Sequence, residues 1–178
     1  VEEARRLGLA KRFAGSHPLV WFERGGFGAA HPERLRAQVV YVTPVDDAGP
    51  AGREVADFWE RVVGAHPVVV EPHRHDQVVA WTQLLPAAAA AGLARVLAEH
   101  RPSGATLGPA ALDATAPADR GVHQLVEALL LNEDRVQEAL AALGDAFEEL
   151  AELLRAHDAD GVARWLGEAA AWRARYRE

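Results

Sequence analysis

Two places in the chain gather side chains that could move protons or hold a ligand. At one, His73, His75 and Asp76 fall within four residues, and imidazole and carboxylate together suit a divalent metal. Successive residues at the start of a helix point about 100° apart, however, so the three do not converge and no metal is expected. The other place is Gly15-Ser16-His17-Pro18, followed by Trp21, Glu23 and Arg24. An imidazole titrates near neutral pH, as a general base must; the alternative for His17 is a ring spent on hydrogen bonds at a strand end. Glu23 can raise the basicity of His17 or meet a cationic group, or it can be a solvated loop carboxylate. Trp21 is placed to wall a pocket. Asp113 and Thr115 either line that pocket or simply turn their loop.

These residues need a scaffold, and the composition bounds it. The 178 residues are 49% hydrophobic and 25% charged, enough for one core of ordinary size with room for a small second lobe. No cysteine is present, which excludes a disulfide framework, a thiolate nucleophile and a cysteine zinc site. With 26 acidic against 19 basic residues and a net charge of −7, no basic stripe emerges, and nucleic acid is not expected as a partner. No unbroken apolar run reaches ~18 residues and nothing at the start resembles a signal peptide, so the expectation is a cytoplasmic protein without a membrane partner. A small molecule or another protein remains.

Along residues 1–72 helix and strand alternate. Glu2 to Leu7 reads as a short helix closed by Gly8, Arg12 to Ser16 as a strand halted by His17-Pro18, and Gln38 to Thr43 as a second strand ended by Pro44. A helix from Ala51 to Val63 places Val55, Phe58, Trp59, Val62 and Val63 on one face, and Pro67 to Glu71 makes a third strand. Apolar strands alternating with helices predict a buried, mostly parallel sheet. From His73 onward the pattern is helical. Asp76 is read in the first turn of an apolar helix suited to a subunit interface, and residues 101–121 as a structured loop. Val136, Leu140, Leu143, Phe147, Leu150 and Leu154 form a single stripe, and a last helix runs from about Gly161 to Tyr176. The expected architecture is therefore an α/β remnant over 1–72 followed by an all-α domain over 73–178, mostly α overall.

The order Gly15-Ser16-His17-Pro18, Glu23-Arg24 with Gly26, Thr43-Pro44 and His75-Asp76 resembles prephenate dehydrogenase, the NAD(P)-dependent enzyme that oxidatively decarboxylates prephenate. The likeness runs over nearly the whole chain. It implies the second half of a dinucleotide-binding domain joined to a helical dimerisation domain, and it implies that His17 accepts a hydrogen bond from a substrate hydroxyl as a general base, with Glu23 beside it. Arg24, His75, Asp113 and Thr115 are the implied substrate-binding positions, and Trp21 joins them as an expectation from its own place in the loop after His17.

The chain also departs from the family. A Gly-x-Gly-x-x-Gly turn, the seat of the pyrophosphate, is missing; Gly25-Gly26-Phe27-Gly28 neither follows a strand nor opens a long helix. NAD(P) is therefore expected only if a domain upstream of Val1 supplies its site. Gln83-Leu84-Leu85-Pro86 stands where the family has a second histidine, and Leu112-Asp113-Ala114-Thr115-Ala116 lacks two arginines that grip substrate carboxylates. Leu19, Val20, Trp21 and Phe22 replace small residues. The expectation is a dehydrogenase-like protein turned to non-redox work such as proton transfer, elimination or cyclisation on a small molecule in biosynthesis. The alternatives are a non-catalytic subunit that assists a partner enzyme, and a piece of an authentic dehydrogenase. Open sheet edges and the apolar helices predict a homodimer through the C-terminal helices.

Overall fold

The computed structural model describes residues 1–20, 31–46, 49–100, 106–119 and 121–176. By packing, the chain forms two compact units, Val1–Val136 and Gln137–Glu178. The first begins with helix α1 (Glu2–Arg6), which buries Ala4. Strands β1 (Ala14–Pro18), β2 (Val39–Pro44) and β3 (His66–Val69) follow, and the sheet order is β1-β2-β3. Between β2 and β3, helix α2 (Ala51–Phe58) continues as a wider π-helical turn through Trp59–Val63. Gly64 stops it in the left-handed region at φ 75°, where a Cβ would be strained.

The sheet differs from the expected one in direction. β2 pairs with β3 in parallel, as a helical crossover permits, but β1 runs antiparallel to β2, with Gly15 opposite Thr43 and His17 opposite Tyr41. An apolar run reports that a strand is buried, not which way its neighbour points. β1 also continues through His17-Pro18 instead of stopping before it; Pro18 is its last residue, where a missing N–H is tolerated. Burial is uneven as well. Val40 and Val42 on the central strand are fully enclosed, whereas Val68 and Val69 on β3 are 44% and 59% exposed. The predicted stripe of α2 is likewise only partly covered, since Phe58 and Val62 face solvent and Ala51 and Gly52 are the buried residues. A Cβ on Gly52 would stand 3.0 Å from Pro44.

The helical part of the first unit opens with α3 (Pro72–Val79), followed by a π-helical turn (Ala80–Leu84) and α4 (Leu85–Glu99). The start lies earlier than expected: Glu71 is extended, Pro72 takes the first helical position that suits proline, and Asp76 sits beyond the first turn. By length and composition Pro72–Glu99 is apolar enough to cross a membrane; its Val79, Ala80 and Leu84 form a core cluster of this unit with Val136, against which Leu125, Ala128 and Leu129 pack. The stretch expected as loop contains a helix, α5 (Pro109–Thr115), again opened by proline, and a 3₁₀ turn at Ala116–Asp119. Two turns of helix are too short to show a periodic signal. Helix α6 (Val122–Leu131) leads to α7 (Glu133–Arg155), which runs into the second unit.

In that second unit, His157 turns the chain at φ 53° and the Asp158 side chain accepts from the Gly161 N–H at 2.9 Å, capping α8 (Ala159–Ala174). A Cβ on Gly161 would lie 2.6 Å from Leu153 Cδ2, so glycine lets the two helices approach. The stripe on α7 is helical as predicted, and its Leu140, Phe147 and Leu154 are exposed.

Gly15 is the glycine on which the site depends. A Cβ there would stand 2.6 Å from Thr43 Oγ1, inside any normal contact, and Thr43 is buried. Gly15→Ala is expected to lower unfolding free energy by about 1–3 kcal/mol, the usual cost of overpacking, measured by urea denaturation; unchanged stability would show that β1 and β2 are not this close.

Candidate functional site

β1 and α3 end side by side within the first unit, and an open cleft of about 570 Å³ lies between them, within the range of small-molecule sites. His17 comes from β1, Thr43 from β2, and His73, His75 and Asp76 from α3; Arg135 of α7 completes the wall. The alternation of β1 turns His17 to the side where its strand faces α3, and helix geometry sets His75 opposite it. His17 Nδ1 lies 3.0 Å from His75 Nε2, with the rings 5.2 Å apart and steeply inclined. His75 Nδ1 in turn donates to Asp76 Oδ1 at 2.9 Å, and the edge of Tyr41 packs on the His75 ring. The backbone under this group is fixed from below: Asn132 Nδ2 donates to the Asp76 carbonyl at 2.8 Å, and Arg135 Nη1 donates to Asn132 Oδ1 at 3.3 Å.

Burial pushes the His17 imidazole below its ordinary value of 6.5, and the neighbouring His75 ring pushes it further. Both causes disfavour a second positive charge in a partly dehydrated cleft. The ring is therefore held neutral, with one nitrogen engaged by His75 and, among the described residues, no group bonded to Nε2. A half-buried neutral imidazole with an uncommitted nitrogen on a cleft is equipped to take a proton from a hydroxyl or an acidic C–H.

Of the residues singled out in the sequence, the structure brings His17 and His75 into contact. Asp113 and Thr115 do not line the cleft; Asp113 is exposed on α5, and the Thr115 hydroxyl donates to the Ala111 carbonyl at 2.8 Å, the local bond that threonine makes within a helix. Trp21, Glu23 and Arg24 lie outside the described residues. Among the described residues no three His, Asp or Glu side chains converge to hold a metal. Arg135 escaped the sequence reading; its one signal is the i,i+3 spacing from Asn132. Asn132 itself makes the interhelical bond expected of a buried amide.

No family model matches the chain, and no curated protein matches it in sequence. Solved structures do match. Prephenate dehydrogenase from Aquifex aeolicus superposes with a TM-score of 0.81 at 22% identity over 94% of this chain, and arogenate dehydrogenase from Synechocystis with 0.76 at 19% identity over 95%. The fold is that of prephenate and arogenate dehydrogenases. This chain spans 60% of the Aquifex protein and 63% of the Synechocystis one. A second structure of the Aquifex dehydrogenase, in complex with hydroxyphenyl propionate and NAD+, superposes at 0.82.

The described residues do not fit a dinucleotide. A pyrophosphate sits where glycine-rich backbone follows a strand and opens a helix. Here the helix after β3 is introduced by Glu71 and Pro72, a carboxylate and a residue without an N–H, and the helix after β2 is introduced by Pro50.

The low proton affinity of His17 has a consequence in solution. Above 6.5 the ring is neutral whether the chain is folded or not. As pH falls through 6.5 the unfolded chain takes up the proton first, so folding stability declines until the folded ring is protonated too. NMR titration is expected to place the His17 midpoint below 6.5; a midpoint above that value would mean that the ring is solvated or paired with a carboxylate.

Proposed function

We propose that this protein is a cytoplasmic, homodimeric enzyme of small-molecule biosynthesis in which His17 acts as general base in non-redox chemistry, namely proton transfer, elimination or cyclisation. The observation that carries the reading is the His17 imidazole itself, neutral, half-buried on a cleft of small-molecule size, and bonded, among the described residues, through Nδ1. The base would remove a proton from a hydroxyl or activated carbon and hold it at Nε2. Arg135 offers the cleft a cation that can face an anionic group of the substrate. The departures at Gln83 and at Leu112 to Ala116 support a substrate other than that of the dehydrogenases. The dimer is supported by the uncovered stripe of Leu140, Phe147 and Leu154 on α7.

One observation favours a second reading. The chain spans about 60% of the length of the solved dehydrogenases, one of which holds NAD+. In that reading the same histidine serves an oxidoreductase whose dinucleotide is seated by residues other than those described.

Two experiments separate the readings. A screen of small hydroxylated and carboxylated metabolites, without added nucleotide, is expected to find turnover that His17→Ala lowers by roughly 10²–10⁴-fold, the usual contribution of a general base, while the thermal midpoint stays nearly unchanged. A variant that keeps the full rate would sink the assignment of His17. Calorimetric titration of the chain with NAD+ and NADP+ is expected to show no binding; micromolar affinity would move the conclusion to the oxidoreductase.

A further inference from the structure

Asp76, His75 and His17 stand in a line of two hydrogen bonds, 2.9 Å and 3.0 Å long, that ends at the cleft. The chemistry of the three groups fixes the direction of both bonds. An ionised carboxylate only accepts, so the proton of neutral His75 must sit on Nδ1. His75 Nε2 then carries a lone pair and can only accept, so the proton of His17 must sit on its Nδ1. This leaves the lone pair of His17 on Nε2, the nitrogen with no partner among the described residues. We propose that Asp76 and His75 are positioning residues that set the tautomer of His17, holding its proton on Nδ1 and its lone pair on Nε2 toward the cleft. The inference deepens the reading of His17 as a base and names how the base is aimed.

The line also gives the positive charge a place to rest. When His17 Nε2 takes a proton from a substrate hydroxyl, the ring becomes an imidazolium, and its Nδ1 proton can pass to His75 Nε2. His17 is then neutral with its proton on Nε2. The charge now rests on His75, paired through Nδ1–H with the Asp76 carboxylate. The Asp76 side chain is 52% exposed, so this charged pair meets bulk water; once the product leaves, return of the proton from His75 Nε2 to His17 Nδ1 and loss of the His17 Nε2 proton to water in the cleft restore the starting tautomers. No oxidant or co-reactant is required. A carboxylate also orients and stabilises the catalytic imidazole of a hydrolase triad, without taking the proton itself; here a second imidazole is interposed. The geometry is held by groups outside the line: the Asp76 carbonyl is tied to Asn132, and the His75 N–H donates to the Glu71 carbonyl at 2.8 Å.

The test reads the tautomer and needs no substrate. Long-range ¹H–¹⁵N NMR of uniformly labelled protein at about pH 8, well above the ordinary histidine value, is expected to show His17 protonated on Nδ1 and unprotonated on Nε2, with His75 in the same form. Asp76→Asn replaces an obligatory acceptor with a group that can also donate, and is expected to move His17 toward the Nε2-protonated form with sheet amide signals in place. Asp76→Glu is expected to preserve the wild-type form. A wild-type His17 protonated on Nε2 overturns the proposal without recourse to any variant, and an unchanged tautomer in Asp76→Asn removes Asp76 from it. In the turnover assay Asp76→Asn is expected to lower kcat by about 10- to 100-fold, less than the roughly 10⁴-fold of a directly bonded triad carboxylate. Failure of the base assignment would appear separately, as full activity in His17→Ala with the tautomer as stated.

Discussion

The bond between His17 Nδ1 and His75 Nε2 joins a strand to a helix that lies 58 residues further along the chain, and most of what surrounds the cleft can be understood as meeting its geometric demands. Such a bond contributes only about 1 kcal/mol net, so it cannot hold the strand and the helix together by itself. Packing does that. Gly15 lets β1 lie close against Thr43, which fixes the register that places His17 opposite Tyr41. Pro72 starts α3 early enough for His75 to reach across, and Asn132 pins the carbonyl of the next residue. Move any of these by an ångström and both rings lose alignment, because a hydrogen bond weakens steeply once its angle bends.

The same arrangement explains why His17 holds a proton less readily than a free imidazole. His17 is partly buried and faces another imidazole, so the charge it would carry is disfavoured twice, and the Asp76 carboxylate is one ring away instead of in contact. A carboxylate bonded directly to His17 would raise its proton affinity; placing His75 between them directs the proton without the same attraction. Arg135 adds a positive charge on the cleft wall that is engaged by a neutral amide, and a cation held by a neutral partner keeps most of its attraction for an anion.

What could be read from the sequence follows a physical division. Local signals were legible: Pro44 at the end of β2, the helical run from Ala51 to Val63, and the seven-residue rhythm from Val136 to Leu154 all report properties of a few neighbouring residues. The ordered landmarks at His17-Pro18 and His75-Asp76 were legible too, and the fold they implied is the observed one. Long-range relations were not. Nothing in Arg12 to Ser16 says that β1 runs against β2, since strand direction is set by how the chain returns. Nothing in the spacing of Phe58 and Val62 says what covers them. The contact of His17 with His75 depends on the sheet register, and Asp113 and Thr115, equally eligible by composition, stand on α5 away from the cleft.

Uncovered apolar surface is the remaining constraint, and it bears on the proposed dimer more than on the cleft. The second unit contains two helical segments and buries little beyond Ala139 and Gly161 while exposing Leu140, Phe147, Leu154, Leu166 and Trp172. Removing such side chains from water contributes about 1.5–3 kcal/mol apiece when burial is complete. Ordering each residue of a chain costs roughly 1–2 kcal/mol in backbone entropy. A pair of helices with so little interior cannot offset that cost alone, and scaffolds below about 70–80 residues ordinarily need a further staple. With no cysteine there is no disulfide to supply it. A second copy would offer the same stripe in return, the self-complementarity that two-fold association requires, while Glu138, Asp145 and Glu149 keep the exposed acidic positions of α7 in water.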